Sequence, residues 1–500
     1  MQRKNGEKPN IVLIEADQMT GLVLPIYDPK AQAITPHLTA LAEPGLLFEN
    51  AYCNSPLCTP SRASMFSGTR TTTNEVWGNG SELTADTPTM MHFLKSAGYR
   101  TVCSGKTHFV GPDQLHGFDC RLTTDMYPAN FGWSIDWKPE VDYRPGTSVT
   151  RLDVPPVVRT TNQILYDEEV QFRAIEFLRY EALEPKEDPF FLHVSFTQPH
   201  DPYQTEPRFW DLYDDIDIAP PAMPAEADAD AHPVTRWLKI HHGIDRFPPS
   251  PEMVIAARRA YYAMITQIDA YVGEIVARLK QLGLYDDTII VFTSDHGDMM
   301  GERGMWFKRT FYEQSAKVPL IIHNPKRYAP RRVGEVVSLA DLCPTVAEIA
   351  GAKAESDRFG SRDSQSFAPL LEGPMPGWKD QAIIEYFGPG VEEPWLAIRK
   401  GPLKYVHTRN HSPLLFDVAA DPGETTDLMG ERADEAAKLH HLLLEGIDLD
   451  ERTATAIASK QTRVFLHKVM AGSPGYRWDH QPEFDAAERY VRGPNVPIYA

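Results

Sequence analysis

Cysteine is scarce in this chain, with five among 500 residues, at positions 53, 58, 103, 120 and 343. The number is odd, the spacings are irregular, and none matches a zinc ribbon. This excludes a disulfide-stapled scaffold and favours reduced thiols. Cys53 and Cys58 do not read as a redox pair, because of the four-residue spacer between them and the proline that follows. Long apolar runs are also lacking. Near the start the longest is Ile11-Val12-Leu13-Ile14, too short for a signal or a membrane span. These two deficits together predict a cytoplasmic protein. Basic residues are outnumbered, 50 Lys and Arg against 69 Asp and Glu, for a formal net charge of -19. A nucleic-acid groove and an anionic membrane surface are therefore excluded as partners. Any anion site must be locally cationic. There is no internal repeat and no low-complexity tract.

What is present is an alternation of strands and helices. Residues 10–16 read as a strand apolar along most of its length, as in a parallel sheet covered on both faces. Further strands are expected at 46–52, 99–103, 189–196, 288–293 and 318–322. Helices are expected at 36–43, from Thr87 to Gly98, and at 166–183 and 252–282. The stretch 109–160 is a long aperiodic loop, of a length usually tied to function. Residues 203–250, with many Pro and Asp, read as a surface excursion. The fold class is α/β, with a large, mostly parallel central sheet flanked by helices. From about residue 376 short strand-like runs recur (382–387, 395–398, 403–407 and 414–417). They predict a smaller C-terminal α+β subdomain with an antiparallel sheet, followed by helices at 431–444 and 452–470. The domain division is 1–375, 376–475 and a tail, 476–500, which either folds over the domain or docks on a neighbouring subunit, docking in a homodimer or homotetramer being the expectation.

Four strands each carry ionisable residues just past their carboxyl ends: Asp17, Lys106 with His108, His200, and Asp295 with His296. Ligand crevices of open α/β sheets lie along that edge. Taken singly, each is an ordinary turn residue; four such ends together predict one shared site. The stretch Leu57-Cys58-Thr59-Pro60-Ser61-Arg62 adds a thiol at a helix N-terminus, where free N–H groups and the positive dipole end favour anions. Pro60 has no N–H and a preset φ, and so suits the first turn. Arg62, one turn on, could fork onto an anionic oxygen pair.

Asp17 and Asp295 are hard oxygen ligands, and with Gln18 and His296 they could hold one divalent cation. That donor set does not choose between calcium, manganese and magnesium. Arg62, Lys106 and Lys308 form a cationic set suited to a tetrahedral oxyanion. His108 and His200 could transfer protons near neutral pH. Trp133, Trp137 and Tyr143 in the long loop could wall an apolar or cationic substrate group, with Glu385 as a counter-charge.

The motifs Asn10-Ile-Val-Leu-Ile-Glu-Ala-Asp17-Gln18, Cys58-Thr-Pro-Ser-Arg62, Gly105-Lys106-Thr-His108, Pro199-His200-Asp201-Pro202-Tyr203 and Ser294-Asp295-His296-Gly297 resemble those of the type I sulfatases, in the alkaline phosphatase superfamily. The stretch from Leu415 to Leu428 is similar to that family's common second-domain segment. The resemblance implies hydrolysis of sulfate monoesters, with Cys58 oxidised to formylglycine by a separate formylglycine-generating enzyme. It implies that Asp17, Gln18, Asp295, His296 and the modified Cys58 ligate the metal. Arg62 would steady the formylglycine, Lys106 and Lys308 would hold the sulfate, and His200 with Lys308 would assist the leaving oxygen. His108 would help break down the covalent sulfate intermediate.

The stretches Gly297–Lys308, Tyr127–Trp133 and Trp478–Tyr490 look most like the choline sulfatase subgroup. There Trp133 would face a quaternary ammonium, with Asn79 and Glu385 nearby. Residues 143–158, Gln198 and the Glu385-Tyr-Phe-Gly segment depart from that pattern. Choline sulfate and aryl sulfates both stay open, as do phosphonate monoesters and phosphodiesters at the same site. A non-catalytic oxyanion-binding protein with unmodified Cys58 is the alternative outside enzymes.

Overall fold

The seven residues Asn10–Ala16 form β1, and every one is buried. Successive side chains of a strand point to opposite faces, and here both faces are covered. Val12 and Ile14 join Leu192, Val194, Ile290 and Phe292 in one core layer. Ile11 and Leu13 join Phe191, Ile289 and Val291 in the other. Each fully buried Leu, Ile or Val contributes about 1.5–3 kcal/mol, so a strand without a polar face is held from both sides.

A computed structural model describes residues 8–134, 148–225 and 231–481. Among these, β1 belongs to a nine-stranded sheet. The others are β2 (Leu46–Tyr52), β3 (Arg100–Gly105), β4 (Cys120–Arg121), β5 (Phe190–Ser195), β6 (Thr288–Ser294), β7 (Lys317–Val318), β8 (Leu320–His323) and β9 (Arg331–Ser338). Their order is β4-β3-β5-β1-β6-β8-β2-β7, with β9 paired to β2. From β4 to β6 all neighbours are parallel; β8 runs antiparallel to both β6 and β2. Helices Asn162–Leu183 and Pro251–Gln281 cover one face. Helices Cys58–Ser67, Met90–Ser96 and Leu342–Ala350 cover the other.

A second sheet is an antiparallel meander of β10 (Gln381–Tyr386), β11 (Trp395–Lys400), β12 (Leu403–Thr408) and β13 (Leu414–Asp417). One face of it packs Ile384, Trp395, Ala397 and Val406 against Tyr52 and Val336 of the large sheet. The other packs Leu396, Ile398 and Leu415 against Leu439, Leu443 and Ala456 of the helices Ala433–Leu444 and Leu449–Met470. Buried Lys404 of β12 ties the two parts together. Its ammonium donates to Phe311 O at 2.8 Å and Glu313 Oε1 at 2.9 Å, and pairs with Glu424. Burial favours the neutral acid at Glu313, but Lys404, Lys317 and Arg399 together outweigh it and hold the carboxyl at about 2. A Lys404→Met variant removes the one cation that touches both buried carboxylates, leaving Lys317 and Arg399 to act on Glu313 alone. The expected loss is about 3–5 kcal/mol of stability, read from urea unfolding at pH 7; a loss below about 1 kcal/mol would remove Lys404 as the strut.

The structure departs from the sequence reading in several places. Residues 203–250 are more than surface: Pro233–His241 is a helix, opened by Pro233 at its first position, that buries Val234, Trp237 and Leu238. Lys317–His323 is split at Pro319 into β7 and β8, since proline cannot donate to the ladder. Strand β9 and the helix Leu342–Ala350 have no counterpart in the sequence reading. The described start of the C-terminal tail folds onto its own chain. Tyr476 Oη accepts from Phe131 N at 3.1 Å, and Asp479 Oδ1 accepts from Ala129 N at 2.9 Å. Trp137, Tyr143 and positions 482–500 of the tail lie outside the described residues.

Candidate active site

Strands β3, β5, β1 and β6 are consecutive parallel neighbours, so their carboxyl ends share one edge. Backbone bonds continue the ladder past those ends. Lys106 N donates to Ser195 O at 3.1 Å, Asp17 N to Gln198 O at 3.2 Å and Asp295 N to Ala16 O at 3.3 Å. The four expected strand tips are thereby brought together. Cys58 enters from the first position of the helix Cys58–Ser67. Ser61 Oγ donates to Asp295 O at 2.5 Å and fixes that helix to the end of β6.

The result is a buried cluster in which ligand atoms of Asp17, Cys58, Asp295 and His296 all lie within 4.8 Å of one another. Cys58 Sγ is 3.3 Å from His296 Nε2 and 3.8 Å from Asp17 Oδ1. His296 Nδ1 faces Gly297 O at 3.1 Å; burial disfavours the protonated ring, but Asp295 and Cys58 outweigh it and raise the imidazole, so a cation taken up at Nε2 would displace a proton there. Asp17 is pushed above the usual carboxylate range by burial, then by Asp295 and Cys58. Asp295 is held well below it, because His296 and Arg62 outweigh its burial. Burial opposes ionisation of the Cys58 thiol, but Lys106, Lys308 and His296 overcome it and hold the thiol well below its ordinary value. Two carboxylates, a thiolate and an imidazole, crowded enough to raise one of the carboxylates, fit a divalent cation.

The cations around this cluster are placed differently from one another. Lys106 Nζ pairs with Asp17 and lies 4.6 Å over the Tyr127 ring. Arg62 does fork, onto carboxylates: its Nε meets Asp295 Oδ2 at 2.9 Å and its Nη1 meets Glu15 Oε2 at 3.1 Å. It also donates to Ser195 Oγ at 2.8 Å, so it braces three strand ends. Lys308 Nζ reaches Gln18 Oε1 and sits 2.7 Å from His200 Nε2. Gln18, at φ 68°, gives its amide N–H to Asp298 and, at 3.3 Å, to Asp201.

A cavity of about 300 Å³ opens onto this edge, lined in part by Cys58, His108, His200 and Lys308. Asn79 and Trp133 line it as well. Asn79 Oδ1 accepts from Thr59 N at 3.1 Å, which satisfies one of the free N–H groups at the helix start. Trp133 stands edge-on to Tyr127, 5.7 Å between ring centroids. His108 stacks on the same tyrosine at 4.6 Å, and neither of its ring nitrogens has a hydrogen-bond partner among the described residues.

The sulfatase family model matches residues 9–352 of this chain. The chain belongs to the sulfatase family. This sulfatase is thus a hydrolase of sulfate esters, and a second model, N-sulphoglucosamine sulphohydrolase, C-terminal, matches residues 301–448. A choline-sulfatase of Rhizobium meliloti (strain 1021) is 39% identical, covering 97% of this chain and 96% of its own. Arylsulfatase K of Xenopus laevis is 28% identical, covering 94% and 88%. A solved phosphonate monoester hydrolase of Agrobacterium radiobacter has a TM-score of 0.68 at 28% identity, covering 91% of this sulfatase and 96% of its own chain.

One expected site residue is not brought to the cavity. Glu385 in β10 is buried away from it and accepts from Thr72 N at 2.8 Å and Thr72 Oγ1 at 2.9 Å, with Arg70 at 3.8 Å. Its carboxylate holds a short helix start instead of meeting a substrate. Conversely, Tyr127, Arg151, His242, Phe307 and Arg309 of the sulfatase line the cavity without having been assigned from sequence as lining residues. Asp201 also does; it pairs with Arg151 at 2.6 Å, and His200 and Arg151 outweigh its burial and hold it at about 2. No helix among the described residues is long and apolar enough to cross a membrane.

Proposed function

We propose that this sulfatase works through a formylglycine made from Cys58 and one divalent cation held by Asp17, Gln18, Cys58, Asp295 and His296. The crowded, buried acidic cluster, whose Cys58 lines the cavity, is the observation that carries the reading. Hydrated formylglycine supplies a nucleophilic oxygen, and the cation supplies charge that favours its ionised form and binds sulfate oxygens. The protein's own side chains account for the remainder. Lys106 and Lys308 both lie close enough to Cys58 to act on its thiol, and their ammonium groups suit the sulfate oxygens as charge builds on them. The 2.7 Å bond between Lys308 and His200 holds a proton where the leaving alcohol or phenol oxygen departs. Arg62 fixes Asp295. His108, with two free ring nitrogens, is the base that returns the site to its starting state.

Burial, the largest influence on His108, lowers its pKa below the ordinary imidazole value, and its contact with Cys58 offsets that only in part. A base of this kind is neutral above its pKa and lost below it. The expected profile of kcat therefore keeps full activity down through about pH 6.5 and falls at lower pH. His108→Asn should remove that limb while lowering kcat throughout; an unchanged limb would assign it to another group.

The structural likeness to a phosphonate monoester hydrolase supports a second reading, in which the same site prefers phosphonate monoesters. Sulfate and phenylphosphonate esters of one nitrophenol separate the two. With enzyme co-expressed with a formylglycine-generating enzyme, the sulfate ester is expected to have the higher kcat/KM by about tenfold or more. The reverse order would make the sulfate activity secondary.

A further inference from the structure

Arg309 lines the cavity beside Lys308 and is almost wholly buried, yet its side chain has no partner among the described residues. Both Nε and Nη1 are buried without a hydrogen bond. No acid among the described residues pairs with it. Its neighbours on the cavity wall are Lys308, Phe307, His242 and Pro389, none of them anionic. A buried guanidinium with idle N–H groups is unfavourable unless something satisfies it. Its backbone is fixed in an uncommon way: Phe307 has φ 66° and Arg309 φ 86°, and Arg309 O accepts from Trp395 Nε1 at 3.3 Å. Such strained residues in a cleft point to a function for the side chains they aim.

The charge of the cavity agrees. Among its described lining residues Asp201 is the only carboxylate, and Arg151 and Gln18 already engage it. Among the described lining residues a cationic leaving group finds no free acid, whereas an anionic one finds a guanidinium without a hydrogen-bond partner at Nε and Nη1. Resting on the sulfatase reading above, we propose that Arg309 binds a second anionic group, of the carboxylate type, carried by the alcohol or phenol part of the substrate. The favoured substrates are then sulfate esters of acidic alcohols or phenols rather than of quaternary ammonium alcohols. A planar fork of N–H donors matches two oxygens of such a group.

The test compares 4-nitrophenyl sulfate with a carboxylated analogue of it, in wild-type enzyme and in Arg309→Met. Taking the ratio of the two kcat/KM values within each protein, and then between proteins, cancels the intrinsic reactivity of the esters. The preference for the carboxylated ester is expected to fall about 10- to 100-fold in Arg309→Met. Arg309→Lys should keep part of it, and should fold where the methionine variant does not. Choline sulfate should rank below the carboxylated ester in wild type. Equilibrium binding of the free carboxylated nitrophenol and of plain nitrophenol to the Cys58→Ala protein, with and without Arg309→Met, reads the same preference without turnover. Absent turnover with the binding preference intact would overturn the sulfatase mechanism and leave Arg309 as an anion site. A preference unchanged within about twofold in both assays, or an equal loss on both esters, would overturn the assignment of Arg309.

Discussion

Cys58→Ala is expected to abolish sulfate-ester turnover, lowering kcat by about 10,000-fold or more, with only a small loss of thermal stability. The two halves of that result have separate physical causes. Alanine offers no sulfur to oxidise, so no aldehyde hydrate forms and the cluster loses its nucleophile. The unmodified thiol is held ionised because Lys106, Lys308 and His296 together outweigh its burial, so alanine gives up a net favourable charge; relief of the Asp17 carboxyl, 3.8 Å away, offsets part of that loss. The backbone of the Cys58–Ser67 helix does not depend on the side chain, since Asn79 caps Thr59 and Ser61 ties the turn to β6. Calorimetry should therefore give one cooperative transition at a slightly lower melting temperature. Mass spectrometry of the wild-type peptide containing Cys58 should find the thiol replaced by an aldehyde. Wild type and Cys58→Ala binding sulfate alike, neither with turnover, would leave only the reading as an oxyanion-binding protein.

The same residues show which parts of the fold can be read from a sequence and which cannot. Strands β1, β2 and β13 have the bounds that their apolar runs give. For β1, burial on both faces leaves an uninterrupted hydrophobic signal. The site was legible for a related reason: in a parallel sheet, whatever follows each strand lands on one edge. Asp17, His200 and Asp295 are each fixed by one local fact, their position just past a strand. Strand β9, Arg-Arg-Val-Gly-Glu-Val-Val-Ser, is interrupted by charge and a glycine because part of it is exposed, and its signal disappears. Glu385 and Arg309 failed in a different manner. Nothing local distinguishes a carboxylate that will meet Thr72, more than three hundred residues away, from one that will meet a substrate. Nor does it tell a guanidinium that finds no acid from one that does. Pairing across the chain is a property of the tertiary structure, and it decides what a charge is for.

That dependence on pairing sets the expected outcome of metal removal. Dialysis against a chelator should lower kcat/KM by about a thousandfold, close to the effect of losing a principal electrostatic contact in the transition state. It should also lower the melting temperature, because an ion that binds only the folded cluster stabilises it by about 2.7 kcal/mol at a hundred times its Kd. The acidic cluster explains why both readouts must move together. Asp17 is raised by burial and by its anionic neighbours Asp295 and Cys58, and Lys106 compensates only in part. A divalent cation answers all three anions at once and leaves the Lys106 ammonium for a sulfate oxygen. Adding back calcium, manganese or magnesium singly should restore activity and melting temperature in the same rank order, since one site governs both. The loss should be steeper in Asp17→Asn, which removes a charged ligand, than in Gln18→Ala, which removes a neutral one. A chelated enzyme with full activity, or a metal that restored stability without turnover, would separate the ion from the chemistry and assign the Asp17, Asp295 and His296 cluster to holding the strand ends together.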